Sequence, residues 1–231
     1  MNTRTTLSTV LVLLALDSAH ASIASDAGNV PPDWHRIALS EHKRPTEYSA
    51  EQDSGRLVLH AHAAASALAL AHAAPPDWRK RPTLRWRWKI SAPLETADNR
   101  DGSREDAAAR IVLTFEGDRH ELSLLDQAAL AIGSQYAGRT MAYATLMYIW
   151  SARDPVGTVI DNPHTSRVKM IVAANGPGGR WQNVSVNWAA DYRRCFGEAA
   201  PELTGYGVMT DTDNTGETVD AWYGDISFAA H

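Results

Sequence analysis

Six residues near the C-terminus, 211–216, combine two carboxylates at alternate positions with a glycine at the sixth. Calcium-binding loops use oxygen ligands at alternate positions and a glycine that permits a sharp turn. The twelfth position from Asp211 is Trp222 instead of glutamate, which excludes an EF-hand. The pattern predicts either a calcium site made by Asp211 and Asp213 with a remote carboxylate such as Asp225, or a turn in which Asp and Asn side chains bond their own backbone.

His60 and His62 lie two residues apart in a segment of alternating polarity. On a β-strand this spacing places both imidazoles on one face, about 7 Å apart. Together with a third ligand such as His72, the pair would suit a transition metal. Two histidines on the solvated face of an edge strand need no metal, and this second interpretation is the favoured one.

Glu116, Asp118 and Glu121 follow the spacing E-x-D-x-x-E. Retaining glycoside hydrolases use two carboxyl groups of different pKa, about 5 Å apart. Catalysis by Glu116 and Asp118 is therefore one hypothesis. Gly117 and the dense charge around it instead indicate a solvated hairpin tip after a strand at 111–115, and this interpretation is favoured.

Asp106 and Arg110 flank three alanines at the start of a predicted strand. One hypothesis is that the pair orients a polar ligand. The alternative, which is favoured, is a salt bridge that fixes the start of the strand. An exposed pair of this kind stabilises a fold only slightly.

The balance of aromatic residues is unusual, with eight tryptophans and three phenylalanines. Indole rings can stack on the apolar C–H faces of sugars, and they also pack well in cores. Trp86, Trp88 and Trp150 alternate into predicted buried faces and are expected in the core. The tryptophans near predicted loops, where a stacking platform is the hypothesis, are Trp34, Trp78, Trp181 and Trp222. Of these, Trp181 and Trp222 are the predicted ligand-binding residues.

Other chemistry has no signature in the chain. The sequence contains no Ser/His/Asp elbow, no phosphate-cradling glycine loop and no Cys/His zinc spacing. Cys195 is the only cysteine, so no intramolecular disulfide can form. The neighbouring Arg193 and Arg194 would lower a thiol pKa, but a buried, inert thiol is the expected state. The net charge of −5 argues against nucleic acid as a partner.

Strands are the elements that must position these residues. In the segment 84–90, apolar residues alternate with Arg85, Arg87 and Lys89, which gives one aromatic face and one basic face. Further strands are predicted at 57–62, 110–115, 141–150, 168–172, 184–188, 205–210 and 222–228. Turn signals separate them at 75–77, 101–103, 175–179 and 213–216. At least eight strands at this spacing predict a mainly β fold, an antiparallel β-sandwich of jelly-roll type with one or two short helices.

Two segments have helical spacing. The first, 122–131, is expected to end at Gly133, and the second, 189–196, is expected to form two turns before Gly197. The alanine-rich segment 61–74 fits either a strand end or a helix.

The N-terminus has the features of a secretory signal peptide: Arg4, an apolar run at 7–16 and an A-x-A triplet that ends at Ala21. Cleavage there leaves residues 22–231 as one β-sandwich domain. Asp17 stops the apolar run well short of the roughly 20 residues that span a membrane, so no transmembrane anchor is expected. An exported chain without disulfides is most typical of a bacterial periplasm, with secretion as the alternative.

Several segments together resemble the bacterial family called domain of unknown function 3047. The likeness spans about 34–228, and its most specific piece is MTDTDNTG at 209–216. The other segments that carry it are 45–48, 84–88, 106–110, 147–150, 162–163, 191–192, 196–197 and 223–226. The resemblance implies one exported or periplasmic bacterial domain and agrees with a jelly roll. It implies no activity and gives no residue a role.

Three functions follow from these observations. The first is a non-catalytic periplasmic or secreted module that binds a polysaccharide or cell-envelope glycan, with calcium as the one candidate cofactor. The second is a glycan-active enzyme that uses paired carboxylates. The third is a structural or assembly partner in the envelope. Exposed tryptophans lining a cleft would favour the glycan-binding module. Two carboxyl groups within about 10 Å in a groove would favour the enzyme. A flat apolar patch would favour the assembly partner.

Overall fold

The computed structural model describes residues 30, 33–40 and 42–230. The predicted signal peptide, residues 1–21, lies outside the described residues. Within them, every helix is too short or too polar to cross a membrane.

Twelve strands and two α-helices make up the described part of the chain, with short 3-10 helices at Trp78–Lys80 and Arg119–Glu121. The strands are β1 (His35–Ile37), β2 (Glu47–Asp53), β3 (Arg56–Ala64), β4 (Ala67–Ala73), β5 (Thr83–Ile90), β6 (Ala107–Glu116), β7 (Ala144–Ser151), β8 (Val159–Asp161), β9 (Val168–Asn175), β10 (Gln182–Asn187), β11 (Glu202–Asp211) and β12 (Thr218–Ala229). The helices are α1 (Leu124–Ala137) and α2 (Trp188–Phe196).

The strands form two sheets. A seven-stranded sheet has the order β1-β4-β11-β6-β7-β9-β8, and a five-stranded sheet has the order β10-β5-β12-β3-β2. All neighbours are antiparallel except β7 and β9, which run parallel. The chain crosses repeatedly between the sheets, from β3 through β4 and β5 to β6, and again from β9 to β12. The predicted mainly β sandwich of jelly-roll type is confirmed.

Tryptophan-rich packing fills the space between the sheets, as the alternation in β5 predicts. Trp86 and Trp88 are 2% and 0% exposed. The ring of Trp86 lies 5.3 Å from that of Tyr148, and the ring of Trp88 lies 5.9 Å from that of Trp150, both across the sandwich on β7. Since these three tryptophans are buried on inward faces, their prediction as core residues is confirmed, and β5 must turn its basic residues outward.

The alanine-rich segment 61–74 contains two strands and a tight turn. Ala65 has a φ of 47° between the end of β3 and the start of β4. Small side chains allow β4 to pack closely against β11, where Gly207 pairs with Ala71. The sequence alone fits either a helix or a strand here, because alanine has a high intrinsic helix propensity. Packing against the neighbouring strand outweighs that preference.

Helix α1 extends further than predicted. It continues through Gly133 and ends at Gly138, which has a φ of 63° and donates its N–H to the carbonyls of Ser134 and Gln135. The expected end at Gly133 was wrong. Gly133 lies within the helix, and the left-handed glycine that ends it is Gly138. Helix α2 ends as predicted, with Gly197 at a φ of 75°.

Candidate functional site

The outer face of the five-stranded sheet, here called the polar face, carries a group of charged and aromatic side chains that could meet a ligand. In β5 the residues that point away from the core are Arg85, Arg87 and Lys89, because Trp86 and Trp88 point into it. Strand β12 lies at the centre of this sheet, between β5 and β3. Side chains from three adjacent strands therefore meet on this face.

One row of side chains, the Trp222 row, crosses the polar face. Its members are Ser49 on β2, His60 on β3, Trp222 on β12, Lys89 on β5, and Trp181 just before β10. The Cα positions of the first four pair directly across the strands. His60 stacks on Trp222 with ring centroids 5.0 Å apart and planes 14° apart. Lys89 Nζ lies 4.1 Å from the Trp222 centroid and 5.4 Å from that of Trp181.

Carboxylates hold the histidine and the tryptophan of this row. Asp220 accepts hydrogen bonds from His60 Nε2 at 2.9 Å and from His62 Nδ1 at 2.8 Å. Glu51 accepts from the indole Nε1 of Trp222 and lies 3.5 Å from Nδ1 of His60. His60 is thus held between two carboxylates while its ring covers one face of Trp222.

The cations of β5 are paired in the same way. Lys89 forms an ion pair with Asp53 at the end of β2. Arg87 Nε lies 2.9 Å from Asp225 Oδ2, and its guanidinium lies 4.1 Å from the Trp181 ring centroid. Gly224 faces Arg87 across the strands, and a Cβ at that position would come within 2.8 Å of Nε. The glycine therefore leaves the room that Arg87 needs.

The two predicted ligand-binding tryptophans are both half-buried on the polar face, but they differ in their place in the sheet. Because β12 lies between β3 and β5, His60 and Lys89 approach the Trp222 indole from opposite sides. Trp181 precedes the edge strand β10, and no further strand of the described sheet lies beyond it. Arg87 and Lys89 of β5 lie 4.1 Å and 5.4 Å from the Trp181 ring centroid, whereas Trp222 contacts side chains of both β3 and β5.

Asp106 and Arg110, the other predicted ligand-binding residues, are each 1% exposed. Arg110 binds Asp211 through two hydrogen bonds, from Nε at 2.9 Å and Nη2 at 2.8 Å. Burial alone lowers the pKa of Arg110, but the charges of Asp211 and Glu105 outweigh burial and raise it. The expected exposed salt bridge between Asp106 and Arg110 was therefore wrong: Arg110 is buried and pairs with Asp211 instead of Asp106, because β11 lies beside β6 and brings Asp211 to Arg110.

The turn 212–216 is held from outside its own sequence. Asp106 Oδ2 accepts the backbone N–H groups of Asn214 at 3.0 Å and Thr215 at 2.7 Å. Asp213 forms an ion pair with Lys43 at 2.6 Å. Carboxylate oxygens of Asp106, Asp211 and Asp213 lie within 4.8 Å of one another, and these three are the acidic cluster discussed below.

Asp225, the remote carboxylate predicted to complete a calcium site, lies outside the acidic cluster. It occupies a bulge in β12, with a φ of 54°, and pairs with Arg56 and Arg87 on the polar face. Of the three predicted calcium ligands, the structure brings Asp211 and Asp213 together. The third carboxylate beside them is Asp106 and not Asp225.

The three histidines considered as metal ligands are divided between the two sheets. His60 and His62 share Asp220, whereas His72 lies on β4 of the seven-stranded sheet and contacts Asp33 at 2.8 Å. In the described part of the chain, the acidic cluster is the one group of three or more potential metal ligands in close proximity.

The predicted carboxylate pair Glu116 and Asp118 lies at a turn after β6. Glu116 is 52% exposed and lies 3.5 Å from Arg119. Asp118 accepts the backbone N–H of His120 and caps the short 3-10 helix. This arrangement agrees with the solvated-turn interpretation.

Trp34 and Trp78 are buried, with 6% and 8% exposure, so they are not the exposed platform that their position near loops suggested. Trp34 packs edge-on against Tyr206, and Trp78 lies 5.9 Å from the ring of Trp188. Burial raises the pKa of Cys195 to about 11 despite the nearby Arg194, which agrees with an inert thiol.

The polar face contains residues that the sequence did not single out as a site, namely Glu51, Asp53, Arg87, Lys89 and Asp220. The basic alternation in β5 was a signal for two of them. The pairing of β12 with both β3 and β5 is what assembles the rest. Those pairings join segments about 160 and about 130 residues apart and leave no local pattern.

The model of the family described as "Protein of unknown function (DUF3047)" matches residues 32–227. No curated protein sequence matches the chain significantly.

Among solved structures, one similar chain is a family 11 carbohydrate-binding module from a cellulosomal cellulase of Clostridium thermocellum, with 8% identity and a TM-score of 0.45 over 94% of this chain and 96% of that one. Another is a carbohydrate-binding module, CBM28, specific for non-crystalline cellulose, with 13% identity and a TM-score of 0.42 over 92% and 94%. A third is the family GH12 endoglucanase 3 of Trichoderma harzianum, with 8% identity and a TM-score of 0.43 over 87% and 93%.

Proposed function

We propose that this chain, which belongs to the DUF3047 family of proteins of unknown function, is a non-catalytic module that binds an extended glycan across its polar face. The observation that supports the proposal is the Trp222 row. It combines two half-buried indoles with a cation and an imidazole on one open sheet surface. We propose further that the mature protein works as an exported, periplasmic module.

The chemistry of the row suits a sugar chain. Sugar hydroxyls both donate and accept hydrogen bonds, and sugar rings also carry apolar C–H faces. Asp220 and Glu51 offer acceptors, Lys89 offers a donor, and Trp181 offers a stacking surface at the edge of the sheet. Five adjacent strands at about 4.8 Å spacing make the row roughly 19 Å long, which accommodates several sugar units.

Binding is better supported than hydrolysis. A glycosidase needs one carboxyl of raised pKa as its general acid. The pKa of Asp53 is lowered, chiefly by the hydrogen bond from Lys89. Burial raises the pKa of Asp220, but hydrogen bonds from His62 and His60 outweigh it and leave the pKa lowered. Both carboxyls on this face with a shifted pKa are therefore set to stay ionised.

The direct experiment is affinity electrophoresis of the purified mature protein in gels containing neutral, acidic and amino-sugar polysaccharides. We expect one class to retard the protein, and Trp181→Ala to abolish that retardation. The control is Lys169→Ala, which removes a side chain from the other sheet, where Lys169 pairs with Asp161. This variant should be retarded like wild type. Retardation by none of the polysaccharides would refute the proposal, and release of reducing ends would refute its non-catalytic part.

A second candidate function, assembly with another envelope protein, is favoured by one observation. Helix α1 exposes Leu124, Leu125 and Ile132 at 83%, 84% and 69%. Apolar side chains grouped in this way on a surface helix are typical of contact sites. Co-purification that is lost on Leu125→Glu would support this candidate, and an unchanged set of co-purified proteins would exclude this helix as the contact.

A further inference from the structure

One oxygen of Asp106 has no hydrogen-bond partner among the described residues. Asp106 is 1% exposed, and its Oδ2 is occupied by two backbone N–H groups of the turn 212–216. Its Oδ1 is buried and unpartnered. A carboxylate oxygen that is removed from water without a donor is costly, so buried carboxylates are paired or coordinate metals.

Asp106 is itself a member of the acidic cluster. Carboxylate oxygens of Asp106, Asp211 and Asp213 lie within 4.8 Å of one another. Calcium binds oxygen at about 2.3–2.6 Å, so two ligands of the same ion are separated by at most roughly 5 Å. The spacing is therefore short enough for all three carboxylates to ligate a single ion.

The charges around the cluster are not balanced. Glu105 adds a fourth carboxylate, 3.7 Å from Arg110. Among the residues that the structure describes, two cations form ion pairs with this group, Arg110 with Asp211 and Glu105, and Lys43 with Asp213. Four negative charges against two positive charges leave −2, which equals the charge that a divalent cation would neutralise.

We propose that Asp106, Asp211 and Asp213 bind a divalent cation, and that the ion is Ca²⁺. All the candidate ligands are carboxylate oxygens, which suit hard cations and not the thiolate- or imidazole-preferring transition metals. The site joins the start of β6 to the end of β11 and the turn that follows. The ion therefore stabilises the link between these strands, independently of glycan binding on the polar face.

Lys43 has a distinct part in this site. Its Nζ lies 2.6 Å from Asp213 Oδ2, and its side chain is 25% exposed. A cation at the cluster is repelled by this ammonium group, so Lys43 lowers the affinity for Ca²⁺. Removing its charge should tighten binding, an effect opposite to that of removing a ligand.

The test is calorimetric titration of Ca²⁺ into the EDTA-treated protein, together with the melting temperature as a function of Ca²⁺ concentration. We expect wild type to bind one ion and to melt at a temperature that rises with free Ca²⁺. Asp106→Asn and Asp213→Asn should weaken binding at least tenfold, and Lys43→Gln should tighten it severalfold. Asp161→Asn, which removes a carboxylate that is 76% exposed on β8, should behave like wild type.

If either aspartate variant fails to fold, the Ca²⁺ affinities of wild type and Lys43→Gln still test the proposal. The proposal is overturned if wild type shows no heat of Ca²⁺ binding and its melting temperature does not depend on Ca²⁺. A proton on Asp106 is the alternative occupant of the unpartnered oxygen, because burial and then the charge of Asp211 raise the pKa of Asp106 to about 6. Stability that falls as pH rises from about 4 to about 6 and then levels off, equally with Ca²⁺ and with EDTA, would assign the proton and also overturn the proposal.

Discussion

Arg110 and Asp211 form a bidentate pair that joins β6 to β11 inside the sandwich, with both hydrogen bonds shorter than 3 Å. Each side chain is almost completely removed from solvent. The planar guanidinium matches both carboxylate oxygens at once, which is the strong form of this interaction. One consequence is that neither partner can be lost without leaving a buried charge.

The first prediction therefore concerns Arg110→Met, measured by chemical denaturation in EDTA. We expect the free energy of unfolding to fall by about 3–5 kcal/mol, because Asp211 stays buried without its partner. Arg56→Ala is the comparison, since Arg56 pairs with Asp225 while 65% exposed, and its loss should cost less than about 1 kcal/mol. Similar losses in the two variants would contradict the distinction.

A second prediction separates the tryptophans by position. Trp181→Ala should abolish glycan binding and leave the melting temperature within a few degrees of wild type, because Trp181 lies at the edge of the sheet. Trp88→Ala should instead lower the free energy of unfolding by about 3–5 kcal/mol, since a large cavity is created in the core. Intrinsic fluorescence under glycan titration and chemical denaturation measure the two effects. Unfolding of Trp181→Ala would assign this residue to packing.

Lys89 provides a third prediction. Lys89→Met keeps much of the side-chain volume against Trp222 and Trp181 but removes the ammonium group. We expect weaker glycan binding with a nearly unchanged circular dichroism spectrum, because one hydrogen-bond donor of the row is lost. Lys169→Met on the other sheet is the control. Equal affinity for wild type and Lys89→Met would remove Lys89 from the binding surface.

The fourth prediction concerns acid. The pKa of Asp220 is lower in the folded chain than in the unfolded chain, so its contribution to stability is present above about pH 4 and is lost as pH falls below that value. The groups that contact it are His60 and His62, with Glu51 beyond His60. Asp220→Asn should therefore lose less stability than wild type between about pH 5 and pH 3. Parallel acid curves for the two proteins would refute this role.

The fifth prediction concerns processing. The A-x-A triplet predicts cleavage after Ala21, so the exported protein should begin at Ser22. N-terminal sequencing of the protein from the periplasmic fraction measures this directly. Material that begins at Met1 would contradict the predicted export.

Local patterns in the sequence were sufficient where the physics is local. Alternation in β5 identified both the buried Trp86 and Trp88 and the outward Arg87 and Lys89, because neighbouring side chains on a strand must point to opposite faces. Gly197 was identified as a helix end for a similar reason, since it follows directly after the last apolar residues of α2.

The sites themselves depend on which strands become neighbours, and this has no local signature. Asp106 and Asp211 were each singled out for different chemistry, and only the pairing of β6 with β11 unites them. Asp225 was predicted as a remote carboxylate that completes the calcium site. The chain instead enters the other sheet after the turn, which carries Asp225 to Arg87.

The positions of β11 and β12 determine when the chain can fold. Each occupies the interior of its own sheet, β11 between β4 and β6, and β12 between β3 and β5. Until these last strands are available, the earlier ones keep open edges that invite pairing with other chains. His60 must then meet Asp220, 160 positions later in the sequence. Pairing over such distances makes folding slow, so neither sheet can close before its interior strand, β11 or β12, has been synthesised.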